Sequence, residues 1–123
     1  MYSRIVVGTD GTDRSLIAVD HAARLAAAFS ADLHVVAAAS PGDAKTAAKI
    51  GHDASKRHGV RVVEHPLAGE PASVLIAIAD EVDADLIVVG NTSMSGRVRK
   101  FTGSVPSRLA RHSHRPVLIV HAG

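Results

Sequence analysis

The chain of 123 residues has the length of one domain, and its 46% hydrophobic and 21% charged residues are those of a globular protein able to bury a core. It has no cysteine, which removes disulfides, thiolate nucleophiles and cysteine-ligated metal centres, and only three aromatics, Tyr2, Phe29 and Phe101, too few for a base-stacking nucleic-acid platform. The net charge of +2 hides a division: all 12 acidic residues lie at or before Asp85, whereas Arg97, Arg99, Lys100, Arg108, Arg111 and Arg115 follow without an acid, as either a solvated basic face or an anion site.

Met1-Tyr2-Ser3-Arg4 runs straight into Ile5-Val6-Val7 with no long apolar stretch behind a basic one, so the expectation is an unprocessed cytoplasmic chain with no membrane association. Ile5–Val7 reads as a first strand. Thr12 then offers an N-cap, and Leu16, Val19, Ala23, Ala26 and Phe29 recur at helical spacing. Leu33-His34-Val35-Val36 is the second strand, with His34 expected to be a satisfied strand residue. About Asp43 to His58 is an Ala-rich helix interrupted by Gly51. Val60-Arg61-Val62-Val63 is the third strand. Pro71 suits a first turn, and Ala72, Leu75, Ile76, Ala79 and Val82 form the next helical stripe. Leu86–Val89 is the fourth strand, Ser104 to about His112 a short helix with Pro106 in its first turn, and Val117–Val120 the fifth strand. Short, β-branched strands alternating with helices predict one doubly wound α/β domain over residues 1–123, a parallel sheet with helices on both faces.

In such sheets ligands bind beyond the carboxyl ends of the strands, where strand order reverses. Two loops there carry chemistry. Gly8-Thr9-Asp10-Gly11-Thr12 places two glycines and a carboxylate after the first strand; it lacks the third glycine of a dinucleotide fingerprint, and an ordinary strand-to-helix turn explains it equally. Gly90-Asn91-Thr92-Ser93, nine residues on from which come Gly103-Ser104, surrounds Arg97, Arg99 and Lys100. That is a reasonable phosphate cradle, or a helix N-cap behind a flexible basic loop. It is no Walker loop, since Gly-Lys-Ser/Thr is absent.

The pattern Gly90-x2-Ser93-x9-Gly103-Ser104-Val105, between Asp85–Val89 and Arg115-Pro116-Val117–Val120, resembles the C-terminal signature of the universal stress protein family. Ile5–Thr12 and Gly69-Glu70-Pro71-Ala72 resemble its other landmarks, so the likeness covers essentially the whole chain. The resemblance implies a Rossmann-like five-stranded parallel sheet in the order 3-2-1-4-5 with four helices. It further implies an adenine nucleotide, ATP, AMP or cyclic AMP, bound by a stress regulator or sensor. Gly90, Asn91, Ser93, Gly103, Ser104 and Val105 would line the ribose and phosphate path, Thr9 and Asp10 would face the ribose, and Ala38 would border adenine. Any Mg2+ would be held through the phosphates. Ser93 departs from the family's glycine, adding a hydroxyl that can donate to phosphate and a Cβ that can crowd it. The chain is also shorter than most relatives, with the missing residues expected near Ser40 to Ala44. The alternative is a dimeric interaction protein of the same fold that holds no nucleotide.

No catalytic constellation stands out, so an enzyme is not expected and turnover of ATP would be slow or absent. His112 and His114, beside Arg111 and Arg115, read as a cationic helix end rather than metal ligands. A response-regulator receiver would need an acidic cluster where Asp10 stands alone, an acceptor Asp where His65-Pro66 stands and a Lys where His121-Ala122 stands. Val117–Val120 carries no charge and would be a sheet edge, which predicts a homodimer through this strand.

Overall fold

The computed structural model describes residues 2–10, 13–37, 44–65, 69–91 and 105–121. Its elements run β1 (Arg4–Thr9), α1 (Asp13–Phe29), β2 (Asp32–Ala37), α2 (Ala44–His58), β3 (Val62–His65), α3 (Pro71–Val82), β4 (Leu86–Gly90), α4 (Val105–His112) and β5 (Val117–Val120). The five strands form one parallel sheet in the order β3-β2-β1-β4-β5, as the resemblance implies.

Because strand side chains alternate between faces, the sheet builds two cores. Ile5, Val7, Leu33, Val35, Leu86 and Val88 pack beneath α1 and α2. Val6, Val36, Ile87 and Val89 pack beneath α3 and α4. Both faces are covered, which is why these strands read as unbroken apolar runs.

Helix α1 buries Ser15, Ala18, Val19, Ala22, Ala23 and Ala26. This corrects the expected stripe: the helix turns its small residues to the sheet, Leu16 is only half-buried, and Phe29 is largely exposed, meeting Tyr2 edge-on at 5.1 Å between ring centroids. In α3 the buried set is Ala72, Leu75, Ile78 and Ala79, with Ile76 and Val82 half-buried. Gly51 does not interrupt α2. A Cβ there would come within 2.6 Å of the Glu64 Cγ on β3, so its absence lets the helix sit close to the sheet. Strand β3 starts two residues later than expected, at Val62 opposite Leu33.

The amino edge of the sheet is locked by charge. The Asp85 carboxylate accepts from the Ser3 and Arg4 amides at 2.6 and 2.9 Å, and those two hydrogen bonds hold its pKa below the usual aspartate range. Arg115 bridges Asp80 and Asp83 and donates to the Ala84 carbonyl at 2.7 Å.

Candidate functional site at the carboxyl edge

The sheet grows outward from β1 in two directions, through β2 to β3 and through β4 to β5, so strand order reverses between β1 and β4, the switch point at whose carboxyl edge sheets of this kind have their ligand crevice. Thr9 ends β1 with no exposed surface, and its Oγ1 shares a hydrogen bond with the Ser15 Oγ at 2.6 Å. The Asp10 amide donates to the same Ser15 oxygen at 3.3 Å. Ser15, in the first turn of α1, thus holds the end of β1 and leaves Asp10 half-buried on the rim.

On the other side Gly90 closes the fully buried β4. A Cβ at Gly90 would meet nothing nearer than the Val120 carbonyl at 4.0 Å, and its φ lies outside the range that needs glycine. Neither packing against the described residues nor backbone strain therefore demands glycine at this position. The Asn91 amide donates to the Val120 carbonyl at 2.8 Å, and the Asn91 side-chain nitrogen lies 3.3 Å from His121 Nδ1.

The structure therefore gathers Thr9, Asp10, Gly90 and Asn91 at one edge. Val105, the first residue of α4, has its side chain in the core with Val6, Val89 and Leu109, so its contribution to a ligand would come from its backbone. Ala38, Ser93, Gly103 and Ser104 lie outside the described residues, as do Arg97, Arg99 and Lys100. Sequence reasoning missed His121 as a rim residue. The signal was the 3-2-1-4-5 order itself, which sets the residue after β5 beside the residue after β4.

The basic C-terminal third also divides. Arg108 pairs with Glu70 at 3.2 Å and Arg115 with Asp80 and Asp83, so two of its six cations are engaged with acids from α3 and its flanks. A solvated face or a free anion site describes neither of these two. Glu70 caps α3: its carboxylate accepts from the Ala72 and Ser73 amides, each at 3.0 Å, and from the Ser73 hydroxyl at 2.8 Å. Away from the edge, between α1 and α2, a cavity of about 100 Å3 is lined by Val19, Ile50, Ala54 and His58. It falls short of the ~300–1,000 Å3 of a typical small-molecule site.

A family model, the universal stress protein family, matches residues 1–121. The universal stress protein Rv1636 of Mycobacterium tuberculosis is 39% identical over 142 aligned positions, covering 98% of this chain and 97% of that protein. The alignment is longer than the chain, so that relative carries residues this one lacks. A solved universal stress protein in complex with cAMP is 42% identical, covers 99% of this chain and 98% of its own, and superposes with a TM-score of 0.85. The universal stress protein from Archaeoglobus fulgidus in complex with dAMP is 28% identical over 96% of this chain and 97% of its own, with a TM-score of 0.72.

Proposed function

This chain belongs to the universal stress protein family, and we propose that it binds an adenine nucleotide, ATP, AMP or cyclic AMP, between the carboxyl ends of β1 and β4, as a ligand-responsive stress regulator of the cytoplasm. The observation that carries this reading is the close likeness to the protein solved with cAMP, and the dAMP complex adds a second adenine nucleotide on the same fold. The crevice has matching chemistry. Asp10, on the rim, is an acceptor for ribose hydroxyls, while the missing Cβ of Gly90 leaves room for the ligand beside the sheet. Backbone amides ahead of α4 would meet the phosphates, with Ser104 and Gly103 in the family positions and Ala38 against adenine. Mg2+, when present, arrives on the phosphates.

The chain regulates rather than catalyses. It has no Gly-Lys-Ser/Thr sequence to organise a metal, and the sequence shows no evident general base beside the Gly90 to Ser104 motif. Turnover of ATP is therefore expected well below about 1 per second. The working form is a homodimer paired through β5. A second reading, the same dimer without nucleotide, is favoured by Ser93, whose Cβ stands where the family pattern has glycine.

Calorimetry with ATP, AMP and cyclic AMP separates the two. At least one should bind wild type. Gly90→Ala should stay folded and lose at least tenfold in affinity, about 1.4 kcal/mol, and Gly103→Val should abolish binding. Absence of binding by wild type establishes the second reading, whereas full affinity in both folded variants would put the nucleotide away from Gly90 and Gly103.

A further inference from the structure

Away from the crevice, two histidines are joined to each other across adjacent strands. His34 on β2 stands opposite Val63, and His65 at the end of β3 stands opposite Val36, so the two are diagonal neighbours on one face of the sheet. His34 Nδ1 and His65 Nε2 share a hydrogen bond of 2.9 Å, with the ring planes inclined by 31°. His34 is buried and His65 half-buried. The bond ties down a short edge: β3 has four residues and pairs on one side only, while on this face α3 packs over β1 and β4.

We propose that the His34–His65 hydrogen bond is a proton-operated latch on the edge strand β3: it holds while the pair takes up one proton and opens with the second, parting the Glu64–His65 end of β3 from β2. Proton counting sets the two steps. Two neutral rings carry two protons on four nitrogens, one of them in the bridge. A first added proton goes to the outer nitrogen of the donor ring and leaves the bridge in place, now charge-assisted. A second finds only the acceptor nitrogen inside the bridge, and two cationic N–H groups cannot face each other at 2.9 Å.

Burial is the largest influence on both rings and lowers both pKa values from 6.5. The neighbours decide which ring charges first. His65 is faced by the carboxylates of Glu81 on α3 and Glu64 on its own strand, which favour its charged form. His34 is faced by His65 and by Asp32 on its own strand, and also by the guanidinium groups of Arg4 on β1 and Arg61 ahead of β3. His65 therefore takes the first proton and donates from Nε2 to His34 Nδ1, and His34 resists the second. Because the folded values are lowered, the pair's contribution is complete above the unfolded value of about 6.5 and is lost as pH falls through the folded ones. The latch is closed at neutral pH and opens in acid. Opening bares the Val35 backbone, an edge with none of the charges that guard β3.

Nuclear magnetic resonance on isotope-labelled protein without nucleotide tests this. At about pH 7.5 a scalar coupling through the N–H···N bond should join His34 Nδ1 to His65 Nε2; it should persist through the first protonation and vanish with the second. The Leu33 amide donates to the Arg61 carbonyl at 2.9 Å, so by alternation the Val63 amide meets the Leu33 carbonyl and the His65 amide the Val35 carbonyl. Protection of these two amides against hydrogen exchange, taken relative to their intrinsic rates, should fall at least about tenfold from about pH 7.5 to about pH 4.5, while that of the Ile87 amide between β4 and β5 holds. His65→Gln, which cannot take up the proton, should lose this fall, and the His112→Gln/His114→Gln double variant should keep it. Should His65→Gln not fold, the wild-type couplings decide by themselves. No coupling at neutral pH, a coupling lost with the first proton, protection indifferent to pH, an equal fall at Ile87, the same fall in folded His65→Gln, or its loss in the double variant would each overturn the latch.

Discussion

Glu70 joins three pieces of the fold through one carboxylate. Its backbone is extended, with φ −71° and ψ 123°, and the proline after it removes one of the amides a helix start leaves unpaired. The carboxylate takes the next two amides and the Ser73 hydroxyl, and still reaches Arg108 on α4. Partial burial alone would raise its pKa; the hydrogen bonds from Ser73 and Ala72, then Arg108, outweigh that and hold it below the usual glutamate value. Glu70→Ala is expected to cost about 1–2 kcal/mol in urea unfolding, since the cap is lost and Arg108, whose Nε is buried without a hydrogen-bond partner among the described residues, loses its carboxylate. The pH sign follows from the lowered value. This contribution is complete above the unfolded glutamate pKa of about 4.3 and disappears as pH falls through the folded one, so the gap between wild type and variant should narrow in acid. Gly69-Glu70-Pro71-Ala72 was legible as a landmark and Pro71 as a first turn. The cap was not, because glutamate is not among the preferred N-cap residues, and the Arg108 pairing exists only once α3 lies beside α4. Asp10 and Gly90 were legible for a different reason: glycine and a carboxylate after apolar runs mark strand ends whatever the packing.

At the scale of elements, three helices end by turning through the left-handed region. Gly59 does so after α2 with φ 68°, but Ser30 after α1 and Asp83 after α3 do it with side chains, both at φ 55°. Around Ser30 the chain closes as a helix-ending motif, the Ala31 amide donating to the Ala26 carbonyl at 2.8 Å. Asp83 pairs with Arg4 and Arg115, a compensation that the uncharged Ser30 cannot form. Ser30→Gly is therefore expected to stabilise the protein by about 0.5–1 kcal/mol, the relief of a left-handed Cβ less the added freedom of the unfolded chain. A higher urea midpoint at unchanged slope is the readout. Element order and kind were legible because buried parallel strands announce themselves as β-branched runs. Two details were not. Val60 is apolar because it is buried under the α1–α2 core, which drew the expected third strand forward, while Glu64 and His65 belong to an edge strand that needs no apolar run. In α1, hydrophobic spacing favoured the large Leu16 and Phe29, but close packing against the sheet selected the alanines.

At the scale of the whole molecule, the two edges of the sheet differ. β3 carries Glu64 and His65 and follows Arg61, the charged protection that keeps an exposed strand solitary; β5 is Val-Leu-Ile-Val, with Ile119 39% exposed. The pairing on its inner side determines what its outer side offers. The Ile87 amide donates to the Pro116 carbonyl and the Asn91 amide to the Val120 carbonyl, so the even-numbered residues of β5 turn their backbone groups to β4. By alternation Val117 and Ile119 present theirs to the open edge. A two-fold axis there would pair β5 antiparallel with its own copy, joining two five-stranded sheets into one and covering Ile119. Ile119→Pro is then a selective probe. It removes an outward-facing N–H while the hydrogen bonds to β4 remain, a placement that proline tolerates on an edge strand. Light scattering at micromolar concentration should find wild type as a dimer and both Ile119→Pro and Ile119→Lys as folded monomers, the lysine restoring the charged protection that β3 already has. A monomeric wild type would end the pairing idea; dimers that survive both substitutions would place the contact on another surface, where the exposed Ile17 of α1 is the next apolar side chain to test.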